Sequence, residues 1–378
     1  MINCGDFFTS LKECGINFFT GVPDSLLKNI LGFIADNTNQ KEHICAANEG
    51  NAIALAAGYH LATKSVPMVY LQNSGLGNAV NPLISLTSTK VYSVPMVLMI
   101  GWRGEPGVKD EPQHQLQGEL TRQMLEQMSI PYEIISSSTD NHFDVLSKLV
   151  QLAKKNNSPT ALLVKKGAFT KHQLTIDDNE QQHELAREQA IEIILDQCQE
   201  TPTSFLATTG MIARELYELR VKKEMNPNDF YNVGAMGHIS QVALGVALNT
   251  TKKVICLDGD GSILMHMGSL ATNGSAAPKN FLHIALNNGA HDSVGGQPTV
   301  ANKIDLVKVS SAVNYKSSCK VESETELITA LKNIENTDGP HFIEILVTKG
   351  ARPDLGRPKE SFTQIKENFM KDLQKELP

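Results

Sequence analysis

Apolar and polar positions along the chain form one repeated pattern. A short apolar run leads to a turn of glycine or small polar residues, and a stretch with apolar positions at helical spacing follows. Strands alternating with helices in this way predict an α/β architecture with mainly parallel sheets. The pattern occurs twice in the same order. "INFFTGVPDSLLKNIL" (16–31) matches "SFLATTGMIARELYEL" (204–219), and the small-residue helix "NEGNAIALAAGYHLA" (48–62) matches "GAMGHISQVALGVAL" (234–248). "PMVYLQNSGLGNAVNPL" (67–83) matches "KVICLDGDGSILMHMGSL" (253–270), and "SVPMVLMIGWRGE" (93–105) matches "NFLHIALNNGAHD" (280–292). Two similar doubly wound domains are expected, over 1–169 and 185–378. The polar, aperiodic run "TKHQLTIDDNEQQHE" (170–184) is expected to link them. Ligands of such sheets bind beyond the carboxyl ends of the strands, where every one of these glycine turns falls.

Composition narrows the class. The chain has 378 residues, 41% of them hydrophobic and 20% charged, which suits a globular enzyme with a sizeable core. A formal net charge of −7 argues against nucleic acid or an anionic membrane as partner. The six cysteines form no CxxC pair, so free thiols in a reducing compartment are expected. "MINCGDFFTSLKECG" carries Asp, Lys and Glu where a secretory signal needs an apolar run, and no apolar stretch nears the roughly 20 residues of a membrane span. The expected location is the cytoplasm.

The chemistry starts in the second half. One strand ends at Gly259-Asp260-Gly261 and a later one at Asn287-Asn288, with the 25 residues 262–286 between. That interval holds a turn, a helix and a return strand. If the two strands are neighbours, a carboxylate and an amide oxygen converge at one rim. These are hard donors suited to Mg²⁺ or Ca²⁺, and a divalent cation would reconcile a carboxylate with a phosphate in the same turn. Gly261 lets backbone approach closely, and the N–H groups from Ser262 onward face an anion. A plain tight turn or a nicotinamide site are the alternatives, but Leu264 occupies the third glycine position of GxGxxG.

GDG, then 25 residues, then NN resembles the cofactor signature of the thiamin diphosphate-dependent enzymes. The doubled layout is similar to their pyrimidine-binding and diphosphate-binding domains, over nearly the whole chain and without the middle domain of larger members. The resemblance implies thiamin diphosphate and Mg²⁺ as cofactors, with Asp260, Asn288 and the Ala290 carbonyl on the metal. It implies that Glu49 bonds the aminopyrimidine ring as the catalytic carboxylate; read alone, Glu49 could equally cap a helix N-terminus. It places Met236 beneath the bent cofactor, although a Met beside glycines is commonly core. Gly259, Gly261, Ser262, Thr208, Thr209 and Gly210 become cofactor-binding candidates, with Thr209 also a possible helix cap. It further implies a homo-oligomer with sites at the subunit interface.

"TGVPDSLL" (20–27), "GWRGEPGVKDEPQHQLQG" (101–118) and "NNGAHDSVGGQPT" (287–299) resemble the members that decarboxylate small 2-keto acids carrying a second anion at C3, a phosphonate or alternatively a sulfonate. A phosphonate is favoured by overall likeness and by both domains lying in one chain, because the sulfonate enzymes are often split into two subunits. A place in phosphonate biosynthesis would follow. Arg103, Lys109 and His114 make a locally basic loop suited to a doubly charged small-molecule substrate, with Glu105, Asp110 and Glu111 close to balancing it. Asp24 and Ser25 either meet substrate or cap the following helix. His114, or His291 with Asp292, are candidates for proton transfer. Arg352 and Arg357 have no role derivable from sequence.

Overall fold

The structure, a computed structural model, describes residues 1–175, 183–198 and 202–374. The chain divides into two compact units. The first is Met1–Asp178 with Ser293–Gln297, and the second is Asn179–Asp292 with Pro298–Pro378. The short segment Ser293–Gln297 therefore groups with the first unit and not, as its sequence position suggested, with the second.

The first unit carries β1 (Phe19–Gly21), β2 (His43–Cys45), β3 (Met68–Gln72), β4 (Val97–Gly101), β5 (Tyr132–Ile135) and β6 (Thr160–Val164). They form one sheet in the order β2-β1-β3-β4-β6-β5, with every pairing parallel. The second unit carries β7 (Thr203–Ala207), β8 (Phe230–Tyr231), β9 (Lys253–Gly259), β10 (Phe281–Asn287), β11 (Ser317–Val321) and β12 (His341–Leu346). Their order, β8-β7-β9-β10-β12-β11, is that of the first sheet with each strand advanced by six, and again all pairings are parallel. The duplication read from the apolar pattern is therefore one topology used twice.

Parallel sheets need cover on both faces, and the central strands are apolar throughout for that reason. Side chains alternate between faces. Met68, Tyr70, Val97 and Met99 join one core of the first unit, while Val69, Leu71, Leu98 and Ile100 join the other. In the second unit Ile255 and Leu257 face one core, and Val254 and Cys256 the other. All six cysteines are free thiols. Among the described residues no helix is long and apolar enough to cross a membrane.

Residues 176–182 of the expected linker lie outside the described residues. The part before them is docked on the first unit. Thr170 N–H donates to the Ile2 carbonyl at 2.9 Å, His172 Nε2 sits 2.7 Å from Asp36 Oδ2, and Thr175 N–H donates to Asp36 Oδ1 at 3.1 Å. Polarity in this run reflects surface side chains over a hydrogen-bonded backbone, a pattern that composition does not separate from a free tether.

Candidate active site

In the second unit, β9 and β10 are neighbours, with Leu286 paired to Gly259. That register brings the two motifs to one rim. Asp260 follows β9 directly and is buried. Its Oδ2 accepts from the Thr299 hydroxyl at 2.5 Å, and among the described residues no basic side chain pairs with it. Burial pushes its pKa up to about 6, and the charge of Asp292 adds to the effect. A buried carboxylate without a cation is the setting that a divalent metal would complete. The two asparagines divide their work. Asn287 turns inward: its Nδ2 donates to buried Glu344 at 2.8 Å and its Oδ1 accepts from Gly289 N–H at 2.9 Å. Asn288 belongs to the rim, where its Oδ1 accepts from Ala290 N–H at 3.1 Å and its Nδ2 donates to Asp292 at 2.7 Å. Gly289 adopts φ +66°, which bends the loop between them.

Behind the GDG turn lies a buried polar chain. Asp258 Oδ1 accepts from Gly259 N–H at 2.9 Å, and its Oδ2 lies 3.3 Å from His283 Nε2. The other ring nitrogen of His283 meets the Tyr315 hydroxyl at 3.0 Å, which accepts from Asn273 Nδ2 at 3.0 Å. The turn is thus anchored from inside the sheet. In front of it, Thr208 Oγ1 lies 3.1 Å from Ser262 Oγ, and Gly237 N–H donates to Ser262 Oγ at 3.2 Å. A Cβ on Gly261 would stand 3.1 Å from the His291 ring and 3.3 Å from Met236 Cε. The glycine thus keeps open a space lined by those two side chains. Gly210, with φ +100°, is itself the cap position of the helix Met211–Lys222, so Thr209 is not its cap. Burial lowers the pKa of His291 to about 4, leaving its ring neutral near pH 7.

In the first unit, Glu49 opens the helix Glu49–Thr63, but Asn48 is the cap, accepting from Asn51 N–H at 2.9 Å. The Glu49 side chain points elsewhere. It is buried, its Oε2 accepts from Asn78 Nδ2 at 2.8 Å, and a Cβ on Gly75 would come within 2.2 Å of its Oε1. Burial raises its pKa, and the Asn78 bond opposes this. A proton-transfer carboxylate benefits from such a shift.

A second cluster forms where β1 and β4 end. Asp24 is fully buried against Gly101, where a Cβ would fall 1.9 Å from Asp24 Oδ2. That oxygen accepts from Leu26 N–H at 3.1 Å, whereas Oδ1 has no partner among the described residues. Burial pushes the Asp24 pKa up to about 6, against the pull of Arg103. Arg103 Nη1 donates to Ser25 Oγ at 2.8 Å, and its Nε and Nη2 grip Asp110 at 2.8 and 2.5 Å. That pairing holds the Asp110 carboxyl far below the usual range. His114 is half-buried in the first turn of the helix Pro112–Gln127; burial, then Arg103, lowers its pKa. Lys109 is exposed and is not brought to this cluster. The loop is therefore less basic in effect than its composition: of its two cations, only Arg103 faces inward.

The sequence reading missed Asn78, Thr299 and the role of Asp110, each a polar partner far along the chain or hidden in a charge count. It also missed Gln297, whose buried amide has neither polar atom bonded among the described residues. The "GGQPT" run quoted for the resemblance was the available signal. Arg352 is engaged by Glu188 and Asp354 at 3.1 and 3.0 Å in the second unit.

Comparison with known proteins bears on these arrangements. Residues 208–345 match the family described as "Thiamine pyrophosphate enzyme, C-terminal TPP binding domain", and residues 6–128 match its N-terminal TPP binding domain. The chain is 34% identical over 382 residues to the phosphonopyruvate decarboxylase of Streptomyces viridochromogenes, covering 98% of this chain and 94% of that protein. It belongs to the thiamin diphosphate-dependent decarboxylases. A second phosphonopyruvate decarboxylase, from Streptomyces hygroscopicus, is 34% identical over 98% of this chain and 93% of its own length. The sulfopyruvate decarboxylase of Methanosarcina acetivorans is 29% identical over 95% of each chain. That sulfonate enzyme spans both halves in one chain, so a single chain does not by itself favour a phosphonate substrate. The two family matches fall one in each unit, in keeping with the two parallel sheets.

Proposed function

We propose that the chain converts 3-phosphonopyruvate to phosphonoacetaldehyde and CO₂, with thiamin diphosphate and Mg²⁺. The observation that carries the decarboxylase chemistry is buried Glu49, whose Oε1 faces Gly75, where an added Cβ would fall 2.2 Å from it, while Asn78 holds Oε2. The choice of phosphonate rests on the two relatives at 34% identity over nearly the full chain. Asp260, Asn288 and the Ala290 carbonyl are assigned to Mg²⁺. Thr208, Thr209, Gly210, Met236, Gly259, Gly261 and Ser262 are assigned to the cofactor. Bound there, thiamin diphosphate supplies a nucleophilic carbon and accepts the electron pair released with CO₂.

The chain's own residues supply the rest. Glu49 offers Oε1 to the aminopyrimidine ring, and its raised pKa suits it to hold and return a proton there. Arg103 has three of its five N–H donors in bonds to Ser25 and Asp110, leaving two for the C3 anion of the substrate. Asp24, with a pKa of about 6 and an Oδ1 that has no partner among the described residues, exchanges a proton just below neutral pH and delivers it to the product carbon. His114 and His291 are both held toward the neutral form and are assigned as further proton acceptors or donors. The active species is a homo-oligomer with sites at the subunit interface; sedimentation that finds only monomer in an active sample would rule this out.

The test uses dialysed protein. CO₂ release from phosphonopyruvate is followed with and without thiamin diphosphate and Mg²⁺, with sulfopyruvate in parallel. Release that requires both additions and prefers phosphonopyruvate is expected. Preference for sulfopyruvate would transfer the proposal to the second substrate, which the Methanosarcina relative favours. No release from either, with the cofactor bound, would overturn it.

A further inference from the structure

We propose that Asp292, itself held by Arg187, is a positioning residue that turns the Asn288 amide so that its oxygen faces the metal. The inference rests on the assignment of Asn288 as a metal ligand. An asparagine amide presents an oxygen at one end and a nitrogen at the other in nearly the same shape. Only one orientation gives the cation a ligand; the other points two N–H donors at it. Something outside the amide has to decide, and here it is a carboxylate oxygen that acts only as an acceptor, taking three donors.

Asn288 Nδ2 donates to Asp292 Oδ2 at 2.7 Å, so the nitrogen is committed to that side. The opposite end, Oδ1, accepts from Ala290 N–H at 3.1 Å and retains a second lone pair. Asp292 cannot swing away. Its Oδ2 also accepts from Gly350 N–H at 2.9 Å and from Arg187 Nη1 at 3.2 Å. Arg187 is fixed in turn at the start of the helix Arg187–Gln197. Its Nε and Nη2 donate to Glu215 at 2.8 Å each, Nη2 also donates to the Gly350 carbonyl at 3.0 Å, and the residue is 5% exposed. A helix start and the loop after β12 therefore converge on one carboxylate oxygen next to the ligand loop, while a second helix holds Arg187 through Glu215. Three donors on Oδ2 also describe an anchor better than a proton carrier, so the proton-transfer role left open for Asp292 in the sequence gives way to this one. Outer-shell partners of metal ligands typically change affinity by roughly 10- to 100-fold when removed.

The experiment titrates Mn²⁺ into metal-free protein with saturating thiamin diphosphate and counts free Mn²⁺ by its electron paramagnetic resonance signal. Asp292→Ala is expected to weaken Mn²⁺ binding roughly tenfold or more. Asp292→Asn is expected to stay within about threefold of wild type, because Arg187 and Gly350 N–H hold its amide oxygen where Oδ2 was. Equal losses in both variants, or wild-type affinity in folded Asp292→Ala, would overturn the proposal. If Asp292→Ala does not fold, Asp292→Ser replaces it. Its hydroxyl donates as well as accepts and so permits either amide orientation; wild-type affinity there overturns the proposal. Asn288→Ala separates the two layers. If it leaves Mn²⁺ binding unchanged, the ligand assignment itself is wrong. If it weakens binding while Asp292→Ala does not, only the positioning role fails.

Discussion

Asp24→Asn tests the first-unit cluster through stability, independently of turnover. The Asp24 carboxyl is fully buried, one of its oxygens has no partner among the described residues, and its pKa stands at about 6 against an ordinary value of 3.8. The folded protein therefore holds the proton more tightly than the unfolded chain does. Stability from this group is fully present below about pH 3.8, falls as pH rises, and is lost once pH passes about 6. A separation of about two pKa units corresponds to about 3 kcal/mol in total. Between about pH 5 and about pH 7.5 the same two values give a loss of about 1.4 kcal/mol. The asparagine variant does not titrate. Whatever its amide costs in that pocket is the same at both pH values and cancels from the change. Urea unfolding followed by the fluorescence of Trp102, the single tryptophan and a buried neighbour of Arg103, reads the first unit directly. Wild type minus Asp24→Asn should shift by about 1.4 kcal/mol between the two pH values, with the variant gaining on wild type at the higher one. A difference that does not depend on pH would refute both the raised pKa and the proton-carrying role drawn from it. The variant should also lose most of its turnover.

The remaining predictions probe neighbouring contacts. Glu49→Gln keeps the size and the Asn78 bond but not the charge, so thiamin diphosphate should still bind by calorimetry while kcat falls by about 100-fold or more; wild-type kcat would refute the assignment. Gly75→Ala places a methyl 2.2 Å from Glu49 Oε1, so it should lower kcat with little change in melting temperature, because the carboxylate end gives way before the backbone does. Arg103→Lys loses the two-pronged grip on Asp110 and should raise KM by roughly tenfold, with a smaller effect on kcat; an unchanged KM would remove Arg103 from substrate binding.

Topology was legible in the sequence because it depends on periodicity, and apolar periodicity is local. The convergence of Asp260 and Asn288 at one rim was legible for a similar reason: two residues at the ends of adjacent parallel strands leave a fixed interval between them. What was not legible is the set of partners. Glu49 and Asn78 are 29 positions apart and meet only because Asn78 lies in the helix that follows β3. Arg103 and Asp110 lie in one loop, yet a charge count treats Lys109, Glu105 and Asp110 alike, whereas geometry selects one pair and leaves Lys109 in solvent. Thr299 reaches Asp260 from 39 residues away. Arg187 reaches Asp292 from 105 residues away. Residues that face a ligand leave motifs, because the ligand's shape constrains their spacing. Residues that hold those side chains are constrained only by the fold.

The two units show how far one topology separates from its chemistry. At each topologically equivalent strand end they carry different groups. Asp24 follows β1, where Thr208 and Gly210 follow β7. The Asn73–Gly75 turn that receives the Glu49 carboxyl follows β3, where the buried carboxyl of Asp260 follows β9. Arg103 follows β4, where Asn288 follows β10. The first unit thus gathers buried carboxyls with raised pKa values and an arginine, and the second gathers oxygens and small residues. Neither set replaces the other: an arginine with spare N–H donors suits an anion, whereas clustered carboxylate and amide oxygens suit a hard cation. Duplicating the sheet supplies two such rims, and the turns after three equivalent strands are where each rim acquires its own chemistry.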